Sequence, residues 1–475
     1  MQRIHHSLLG ALAGGLLAAA PTHAQPPAPL PAAVAQALAQ TRIPASAVSA
    51  VVRDVQSGET LFSLNPAAAR SPASTIKVVT TYAALDELGP NYVWTTRAYA
   101  TGPVVAGHLK GDLVLRGGGD PFMSAERWER FAREVRLRGI NQIDGDVIVD
   151  DSVFEAQTAD PDDFDGKGYR TYNVLPHALL VNLQTIEFHV VPEQGHLAII
   201  ADPAPANYKI TNRIKPLQTG CRSGAHALRF EDETPTGITV SGAMSVRCEG
   251  VSLRRAVMRA PDFAFGTFVD NFRRLGGTAN GQLRVGPTPA GAHLLFAFES
   301  LTLGEVIRLV NKFSINPMAR TLLLSLAVEK GGVPGTLAKG SAAVGEWLGQ
   351  RGITDCAELV IDNGSGLSRT SKISAACMNE ILMSAARSRY FPELAASLPL
   401  GGEDGTLKHR FRETKGAARV RMKTGHLRDV AALAGYANTD AGRPLAISIM
   451  INHTAAEYGD GDRVIDALVR WAMER

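Results

Sequence analysis

The spacing of apolar residues predicts a helix, a hairpin and a second helix at the start of the chain. Residues 30–40 place Ala, Val and Leu on one helical face, and residues 47–65 hold two apolar-rich runs around a Gln-Ser-Gly turn. Two such runs flanking a short turn predict a β-hairpin. The apolar run from Val78 to Leu85 predicts a helix, which ends at the stop signal Leu88-Gly89-Pro90.

A strand-like pattern takes over between residues 92 and 295. It consists of short apolar stretches punctuated by glycine, with helices predicted over 124–137 and 261–275. The part from 154 to 250 opens with a loop rich in Asp and Gly and then contains four strand-like runs. Because this pattern differs from what precedes and follows it, we expect residues 93–295 to interrupt the first domain.

Helical periodicity returns after residue 301. The predicted helices cover 303–313, 318–330, 339–350 and 374–387, and three strands and a last helix follow over 418–424, 430–437, 444–452 and 461–474. The three strands can join the N-terminal hairpin in one antiparallel sheet, with the first and last helices on one face. The predicted fold class is therefore α/β, in the α+β sense of an antiparallel sheet covered by helices, with a long insertion.

Composition narrows the classes of function. The 475 residues are too many for one core and fit two or three domains. Basic and acidic residues are nearly balanced, at 49 and 46, without a basic block, which argues against a nucleic-acid partner. Residues 1–24 have a positive start, a short apolar run and a small-residue cleavage site. They predict an exported protein with a cleaved signal peptide, and an uncleaved anchor is the alternative.

The four cysteines are Cys221, Cys248, Cys356 and Cys377. None forms a Cys-x-x-Cys pair, so we expect neither a zinc site nor a thioredoxin-like site, and no cofactor. An even number in an exported protein indicates disulfides, with three pairings open. We favour Cys221–Cys248 and Cys356–Cys377, because neighbouring pairs stay within one domain.

The first chemical motif is Ser74-Thr75-Ile76-Lys77, directly before the Val78 run. If Ser74 caps that helix, Lys77 lies on the first turn, and a spacing of three puts both side chains on one face. An amine within reach of a hydroxyl is the minimum needed to activate a serine. An isolated Ser-x-x-Lys is more often a capped surface helix with a solvated lysine, so the context has to decide.

Two further motifs supply that context. Ser314-Ile315-Asn316 falls between two predicted helices, and Lys423-Thr424-Gly425 falls at the end of a predicted strand. In this order, the three motifs match the set used by serine enzymes that attack β-lactams and D-alanyl peptides. A Ser-His-Asp hydrolase and a metallopeptidase are the rival mechanisms, but neither Gly-x-Ser-x-Gly nor His-Glu-x-x-His occurs.

Four of the motif residues are expected to take part in proton transfer or to promote it. Ser74 attacks a carbonyl while an unprotonated Lys77 takes its proton. The charge of Lys423 disfavours the charged form of Lys77. Ser314 relays the proton to the leaving amine.

The other motif residues, together with Lys423, are expected to bind the substrate. Asn316 holds the backbone amide of the substrate, and Thr424 with Lys423 binds its carboxylate. The backbone N–H groups of Ser74 and of His426, which follows Gly425, are placed to form an oxyanion hole. Losing one such donor typically costs about 3 kcal/mol of transition-state stabilisation.

With these motifs, the chain resembles the class C low-molecular-mass penicillin-binding proteins, the D-alanyl-D-alanine carboxypeptidase/endopeptidase family. The resemblance covers essentially the whole mature chain and also rests on Gly117-Gly118-Gly119-Asp120-Pro121, Asn363-Gly364-Ser365-Gly366-Leu367-Ser368-Arg369, Leu398-Pro399-Leu400 and Asp404-Gly405-Thr406-Leu407. It implies a catalytic domain over 25–92 and 296–475. It further implies a second domain over 93–155 and 250–295 and, nested in it, a β-rich third domain over 156–249.

The resemblance also implies a pocket for the diaminopimelate side chain of peptidoglycan stems, at Asp150, Phe154 and Arg369. The structural alternatives are a turn cap, a core ring and a surface cation, respectively. The sequence departs from the family at His426, where a small hydroxyl residue is usual, and at Arg428, where a neutral polar residue is usual. We expect Arg428 beside Arg369 to favour a substrate with an extra carboxylate.

The expected function is carboxypeptidase and endopeptidase cleavage of D-alanyl bonds in the periplasm. Peptidoglycan peptides are the expected substrates and β-lactam antibiotics the expected inhibitors. A serine β-lactamase is the alternative enzyme, and the long insertion argues against it. A catalytically impaired wall-binding scaffold is the alternative of a different class, because His426 and Ile315 are unusual. The sequence leaves peripheral membrane contact and a homodimer open.

Overall fold

A computed structural model describes residues 30–218, 220–221 and 227–475, so the predicted signal peptide lies outside the described residues. Ten α-helices occur in these ranges: α1 (Ala32–Thr41), α2 (Ile76–Leu88), α3 (Ala125–Leu137), α4 (Ala260–Arg274), α5 (Leu303–Phe313), α6 (Asn316–Gly331), α7 (Leu337–Gln350), α8 (Ala375–Ala386), α9 (Phe391–Ser397) and α10 (Asp460–Met473). Among them, none is both long enough and apolar enough to cross a bilayer.

The strands within the same ranges are β1 (Val48–Asp54), β2 (Thr60–Leu64), β3 (Thr95–Ala100), β4 (Val104–Val105), β5 (His108–Leu109), β6 (Leu113–Arg116), β7 (Gln142–Ile143), β8 (Val147–Asp150), β9 (Ile186–Glu193), β10 (His196–Asp202), β11 (Lys209–Leu217), β12 (Leu228–Thr234), β13 (Gly237–Ser245), β14 (Val251–Arg255), β15 (Thr278–Ala279), β16 (Leu283–Val285), β17 (His293–Glu299), β18 (Val420–Leu427), β19 (Val430–Asn438) and β20 (Pro444–Asn452).

Both ends of the chain share one antiparallel sheet, in the order β18-β19-β20-β1-β2. The predicted joining of the N-terminal hairpin to the three C-terminal strands is confirmed. Successive residues of β19 enter different cores: Leu433 packs with α1 and α10 on one face, and Ala434 packs with α2 and α8 on the other. Because helices cover both faces, β19 and β20 are almost continuously apolar rather than alternating.

The insertion leaves and re-enters this domain through two paired strands, β3 and β17. These strands belong to a five-stranded sheet, β16-β8-β6-β3-β17, and α3 and α4 pack on it through buried aromatic rings such as Trp128 and Phe268. A small sheet, β15-β7-β5-β4, lies in the same part of the chain. The predicted border at residue 296 falls inside β17, because the apolar run of that strand continues to Glu299.

The innermost part of the chain forms two three-stranded sheets, β10-β9-β14 and β11-β13-β12. Strand β14 lies beyond the predicted end of this part at residue 249, since it pairs with β9 rather than with its chain neighbours. The structure contains both favoured disulfides, Cys221–Cys248 and Cys356–Cys377. Each disulfide closes a short loop within one part of the chain.

Asn379 joins α8 to the central sheet. Its side chain is 1% exposed, and its amide donates to the carbonyl oxygens of Val51 at 3.3 Å and Ala446 at 3.0 Å. These acceptors belong to the adjacent strands β1 and β20. One buried amide therefore fixes the helix against two strands that are far apart in sequence.

Replacing Asn379 with Ala is expected to lower the free energy of unfolding by about 2 kcal/mol, because two buried hydrogen bonds are lost. Denaturant unfolding of the full chain followed by circular dichroism measures the change. The matched control is Asn438→Ala at the exposed end of β19, where a change within about 0.5 kcal/mol is expected. Equal destabilisation by both variants would contradict the bridging role of Asn379.

Candidate active site

Ser74 lies in a 3₁₀ turn, Ala73–Thr75, that leads directly into α2 at Ile76. The residue before α2 is Thr75, and no side chain caps this helix. The expectation that Ser74 acts as a helix cap is therefore wrong. Its hydroxyl oxygen instead lies 2.9 Å from Lys77 Nζ, within hydrogen-bond distance, so the two side chains are adjacent as predicted although Ser74 does not cap the helix.

The amine of Lys77 is fully buried and has three hydrogen-bond partners. They are Ser74 Oγ at 2.9 Å, Asn316 Oδ1 at 2.7 Å and the carbonyl oxygen of Ser365 at 2.5 Å. The amide and carbonyl oxygens can only accept, whereas a hydroxyl can also donate. A neutral amine can therefore give its two N–H bonds to Asn316 and Ser365 and direct its lone pair at the hydroxyl of Ser74.

Asn316, the first residue of α6, is oriented by a contact from the insertion. Its Nδ2 donates to the carbonyl oxygen of Tyr172 at 3.0 Å, which turns its Oδ1 toward Lys77. One helical turn further, Nη1 of the buried Arg320 donates to the carbonyl oxygen of Val174 at 3.1 Å. The segment around residues 172–174 thus forms one wall of the site.

Ser365 reaches Lys77 through a tight glycine loop. Gly364 and Gly366 have φ values of +72° and +78°, which favour glycine. A Cβ atom at Gly366 would lie 1.9 Å from the carbonyl oxygen of Ala73, in the turn that carries Ser74. The loop is therefore packed closely against the turn that carries Ser74, and this contact places the Ser365 carbonyl beside the amine of Lys77.

Electrostatics favour an uncharged Lys77. Burial lowers its pKa well below the ordinary value, and the positive charges of Lys423 and Arg320 lower it further. Burial also lowers the pKa of Lys423, to about 7. A lowered pKa increases the fraction of Lys77 that is neutral and can act as a base.

The second and third motifs meet beside this lysine. Lys423 Nζ, on the edge strand β18, donates to Ser314 Oγ at 2.9 Å and to the carbonyl oxygen of Thr424 at 2.7 Å. Ser314 ends α5 with a φ of +59°, an unusual backbone conformation for a residue other than glycine. The hydroxyl of Thr424 contacts that of Thr406 at 2.8 Å. All three motifs therefore converge on one cleft.

Strand β18 runs close to the turn that carries Ser74. A Cβ atom at Gly425 would lie 2.6 Å from the carbonyl oxygen of Pro72 and 3.1 Å from the backbone nitrogen of Ser74, so glycine permits the approach. His426 follows with a half-exposed side chain bonded to Asp462. Arg428 lies exposed in the turn after β18.

Arg369 lines a cavity of about 260 Å³ beside the Ser365 loop, where its guanidinium stacks on the ring of Phe164. Asp362 and the buried Arg320 line the same cavity, so it offers both signs of charge. Arg428 is not among the described residues that line it. The predicted joint action of Arg428 and Arg369 therefore stays a prediction.

Asp150 and Phe154 are also absent from the described lining of that cavity. Asp150 ends β8, and its carboxylate accepts from the backbone nitrogens of Ser152 and Thr288 at 3.0 and 2.8 Å and from the Thr288 hydroxyl. These contacts agree with a turn-capping role. The side-chain pocket at Asp150, Phe154 and Arg369 stays a prediction.

Phe154 joins the insertion to α6. It is 6% exposed and packs with Ala178 and Leu324. A Cβ atom at Gly119 would lie 2.5 Å from its ring, so the glycine of the Gly-Gly-Gly-Asp-Pro segment makes room for it. This environment is that of a core residue.

Three contributors to the site were not predicted from the sequence. The carbonyl of Ser365 carries no side-chain signal, although its two flanking glycines indicate a close backbone approach. Arg320 lies four residues after Asn316 on α6, a spacing that places both on one helical face. The carbonyl of Tyr172 comes from the insertion, and no local pattern indicates a contact over that distance.

Comparison with known proteins extends this picture to the whole chain. The family described as D-Ala-D-Ala carboxypeptidase 3 (S13) matches residues 30–475. The D-alanyl-D-alanine carboxypeptidase of Actinomadura sp. (strain R39) is 32% identical over 420 residues, which cover 85% of this chain and 77% of the relative.

Solved structures share the fold. Penicillin binding protein 4 (dacB) from Haemophilus influenzae superimposes with a TM-score of 0.77 at 22% identity, covering 93% of this chain and 99% of that one. Bd3459, a predatory peptidoglycan endopeptidase from Bdellovibrio bacteriovorus, gives a TM-score of 0.51 at 15% identity, over 89% and 90% of the two chains.

The sheet, the pair of Ser74 and the buried Lys77, and the two motifs beside them define a class of serine hydrolase, the low-molecular-mass class C penicillin-binding proteins. Within that class, the chain belongs to the D-Ala-D-Ala carboxypeptidase 3 (S13) family.

The rate of acylation by benzylpenicillin is expected to show a bell-shaped dependence on pH, with an acid limb and an alkaline limb. It rises on the acid side, as Lys77 loses its proton and becomes a base. It falls above about pH 7, where Lys423 loses the positive charge that attracts the carboxylate of the ligand. Stopped-flow measurement checks both limbs. The methyl ester of benzylpenicillin is the control, and an equal alkaline fall with that ester would contradict the role given to Lys423.

Replacing Phe154 with Ala is expected to lower the free energy of unfolding by about 3 kcal/mol, because the change leaves a cavity at the junction with α6. Phe154→Leu, which refills most of the space, is the matched control and is expected to cost clearly less. The measurement is denaturant unfolding, paired with KM for peptides with and without diaminopimelate. A rise in KM confined to the diaminopimelate peptide would instead support the side-chain pocket.

Proposed function

We propose that this chain is a D-alanyl-D-alanine carboxypeptidase and DD-endopeptidase of peptidoglycan that forms an acyl-enzyme on Ser74. The observation that carries the proposal is the buried amine of Lys77, 2.9 Å from the Ser74 hydroxyl and held by two oxygens that can only accept. A hydroxyl facing the lone pair of a neutral amine is prepared for nucleophilic attack.

The proposed reaction has two halves. Ser74 Oγ bonds to the carbonyl carbon of the penultimate D-alanine while Lys77 takes the hydroxyl proton. The carbon–nitrogen bond then breaks, and Ser314, which accepts a hydrogen bond from Lys423, relays a proton to the departing amine. Water next attacks the ester, and the acid and Ser74 are released. The N–H groups of Ser74 and His426 stabilise the oxyanion in both halves.

Lys423 and Thr424 take the role of binding the carboxylate next to the scissile bond, and Asn316 that of holding the substrate amide. The position of β18 at the edge of its sheet and the 2.9 Å contact between Lys423 Nζ and Ser314 Oγ support this assignment. We further propose the division of the chain into catalytic, second and nested domains, which the presence of separate sheets supports.

β-Lactams are proposed to acylate the same serine, since the H. influenzae protein with this fold has been solved in complex with a β-lactam. Two disulfides and membership of a cell-wall enzyme family support export, and we place the protein in the periplasm. A signal peptide over 1–24, peripheral membrane contact and a homodimer remain predictions.

Replacing Ser74 with Ala is expected to abolish labelling by a fluorescent penicillin, at least a hundredfold below wild type, while the far-ultraviolet circular dichroism stays unchanged. Ser57→Ala, at an exposed turn, is the matched control and is expected to label normally. Retained labelling of the Ser74 variant would eliminate this nucleophile. Absence of label on the wild type would instead favour the scaffold alternative.

Mass spectrometry of the products from a defined crosslinked muropeptide separates the two activities in the same experiment. Loss of D-alanine reports the carboxypeptidase, and release of two monomers reports the endopeptidase. Rapid turnover of penicillin with neither product would favour a β-lactamase.

A further inference from the structure

The last turn of α5 is held in place by two consecutive side chains just before Ser314. Lys312 is buried, and its Nζ donates to Asp404 Oδ1 at 2.9 Å and to Oδ2 at 2.6 Å. The preceding residue, Asn311, is also buried, and its Nδ2 donates to Oγ of Ser397, in α9, at 2.8 Å. These contacts tie the end of the helix to two separate parts of the chain.

Ser314 depends on such support because of its backbone conformation. Its φ of +59° lies in the left-handed region, which residues other than glycine rarely adopt. A residue keeps such a conformation only where the surrounding structure over-determines it. Gly405 adds to the constraint, since a Cβ atom there would lie 2.6 Å from the carbonyl oxygen of Lys312. The loop that follows Asp404 is therefore packed directly against the backbone that leads into Ser314.

The same loop is joined to β18, the strand that carries Lys423. Asp404 Oδ1 accepts from the backbone nitrogen of Leu400 at 2.7 Å, and Leu400 forms an antiparallel bridge with Arg421 of that strand. Lys423 Nζ in turn donates to Ser314 Oγ at 2.9 Å. The contacts thus form a closed ring, in which the pair of Lys312 and Asp404 fixes the second motif relative to the third.

We propose that Lys312 and Asp404 are a positioning pair that holds Ser314 where its hydroxyl can give a proton to the departing amine. When the carbon–nitrogen bond breaks, its electron pair stays on nitrogen, and the hydroxyl proton of Ser314 moves there. Lys77 then returns to Ser314 the proton that it took from Ser74. The pair itself contacts no reacting atom. The inference rests on the proposed function and adds to it two residues that act through Ser314.

Two other roles of the pair would give a different kinetic result. If the pair only stabilises the fold, its loss affects all substrates alike. The hydroxyl of Thr406, in the same loop, contacts that of Thr424 at 2.8 Å, so a displaced loop would also disturb binding of the substrate carboxylate. That disturbance is equal for two substrates with the same carboxylate. A defect in protonation instead depends on the leaving group.

The test compares two substrates that differ by one atom. One is a stem pentapeptide that ends in D-alanyl-D-alanine, and the other is the thioester in which sulfur replaces the scissile nitrogen. A thiolate leaves without a proton, whereas the nitrogen of an amide must be protonated as its bond breaks. The ratio of kcat/KM for the two substrates therefore reports the proton that Ser314 supplies.

Lys312→Met is expected to lower kcat/KM for the peptide about thirtyfold and to leave that for the thioester within about threefold, which also reports an intact site. Asp404→Asn is expected to show the same selectivity with a smaller loss. Ser314→Ala is expected to lower kcat/KM for the peptide about a hundredfold. Adding Lys312→Met to it should cause no further loss, because the pair acts through Ser314. Lys408→Met, at an exposed lysine of the following turn, is the matched control and is expected to behave as wild type.

Equal losses with both substrates in Lys312→Met would overturn the inference and leave the proposed function standing. Unchanged turnover of the peptide by that variant would overturn it too. A further loss in the double variant, relative to Ser314→Ala alone, would show that the pair acts by another route and would also overturn it. If the wild type does not cleave the peptide, the proposed function fails, and this inference fails with it.

Discussion

The site depends on keeping one lysine uncharged inside the protein. A buried ammonium is costly, and Lys77 is fully buried beside another cation rather than beside a carboxylate. A neutral amine has two donors and one lone pair, and the three contacts of Lys77 match that count. The turn of Ser74, the start of α6 and the loop around Ser365 must therefore hold fixed positions around α2.

Because of this constraint, the insertion contributes directly to the site of Lys77. The carbonyl of Tyr172 orients the Asn316 amide, and the carbonyls of residues 173 and 174 accept from Arg320. Without these contacts, Asn316 would be free to present its NH₂ group to Lys77, and two donors would face each other. The long segment between the first and second motifs thus affects the charge state of Lys77 and also forms one wall of the site.

The sequence was most informative where the signal is local or periodic. The joining of the N-terminal hairpin to the three C-terminal strands followed from apolar runs, and the three motifs indicated side chains that the structure brings together. The Ser74 cap was wrong, because the 3₁₀ turn before α2 directs that hydroxyl to Lys77. Strand β14 and the carbonyl of Tyr172 depend on partners far away in the chain, which no local pattern encodes. The type of a residue does not indicate where its backbone carbonyl will point, so the contact from Ser365 could not be predicted.

The placement of β1 between β2 and β20 also affects when the molecule becomes active. Ser74 and Lys77 emerge early during synthesis, but the strand that carries Lys423 and the neighbour of β1 come last. Pairings between such distant segments form late in folding, because a long loop must close first. A nascent chain therefore contains Ser74 and Lys77 without a complete site, and hydrolytic activity arises only after the C-terminal strands have been synthesised.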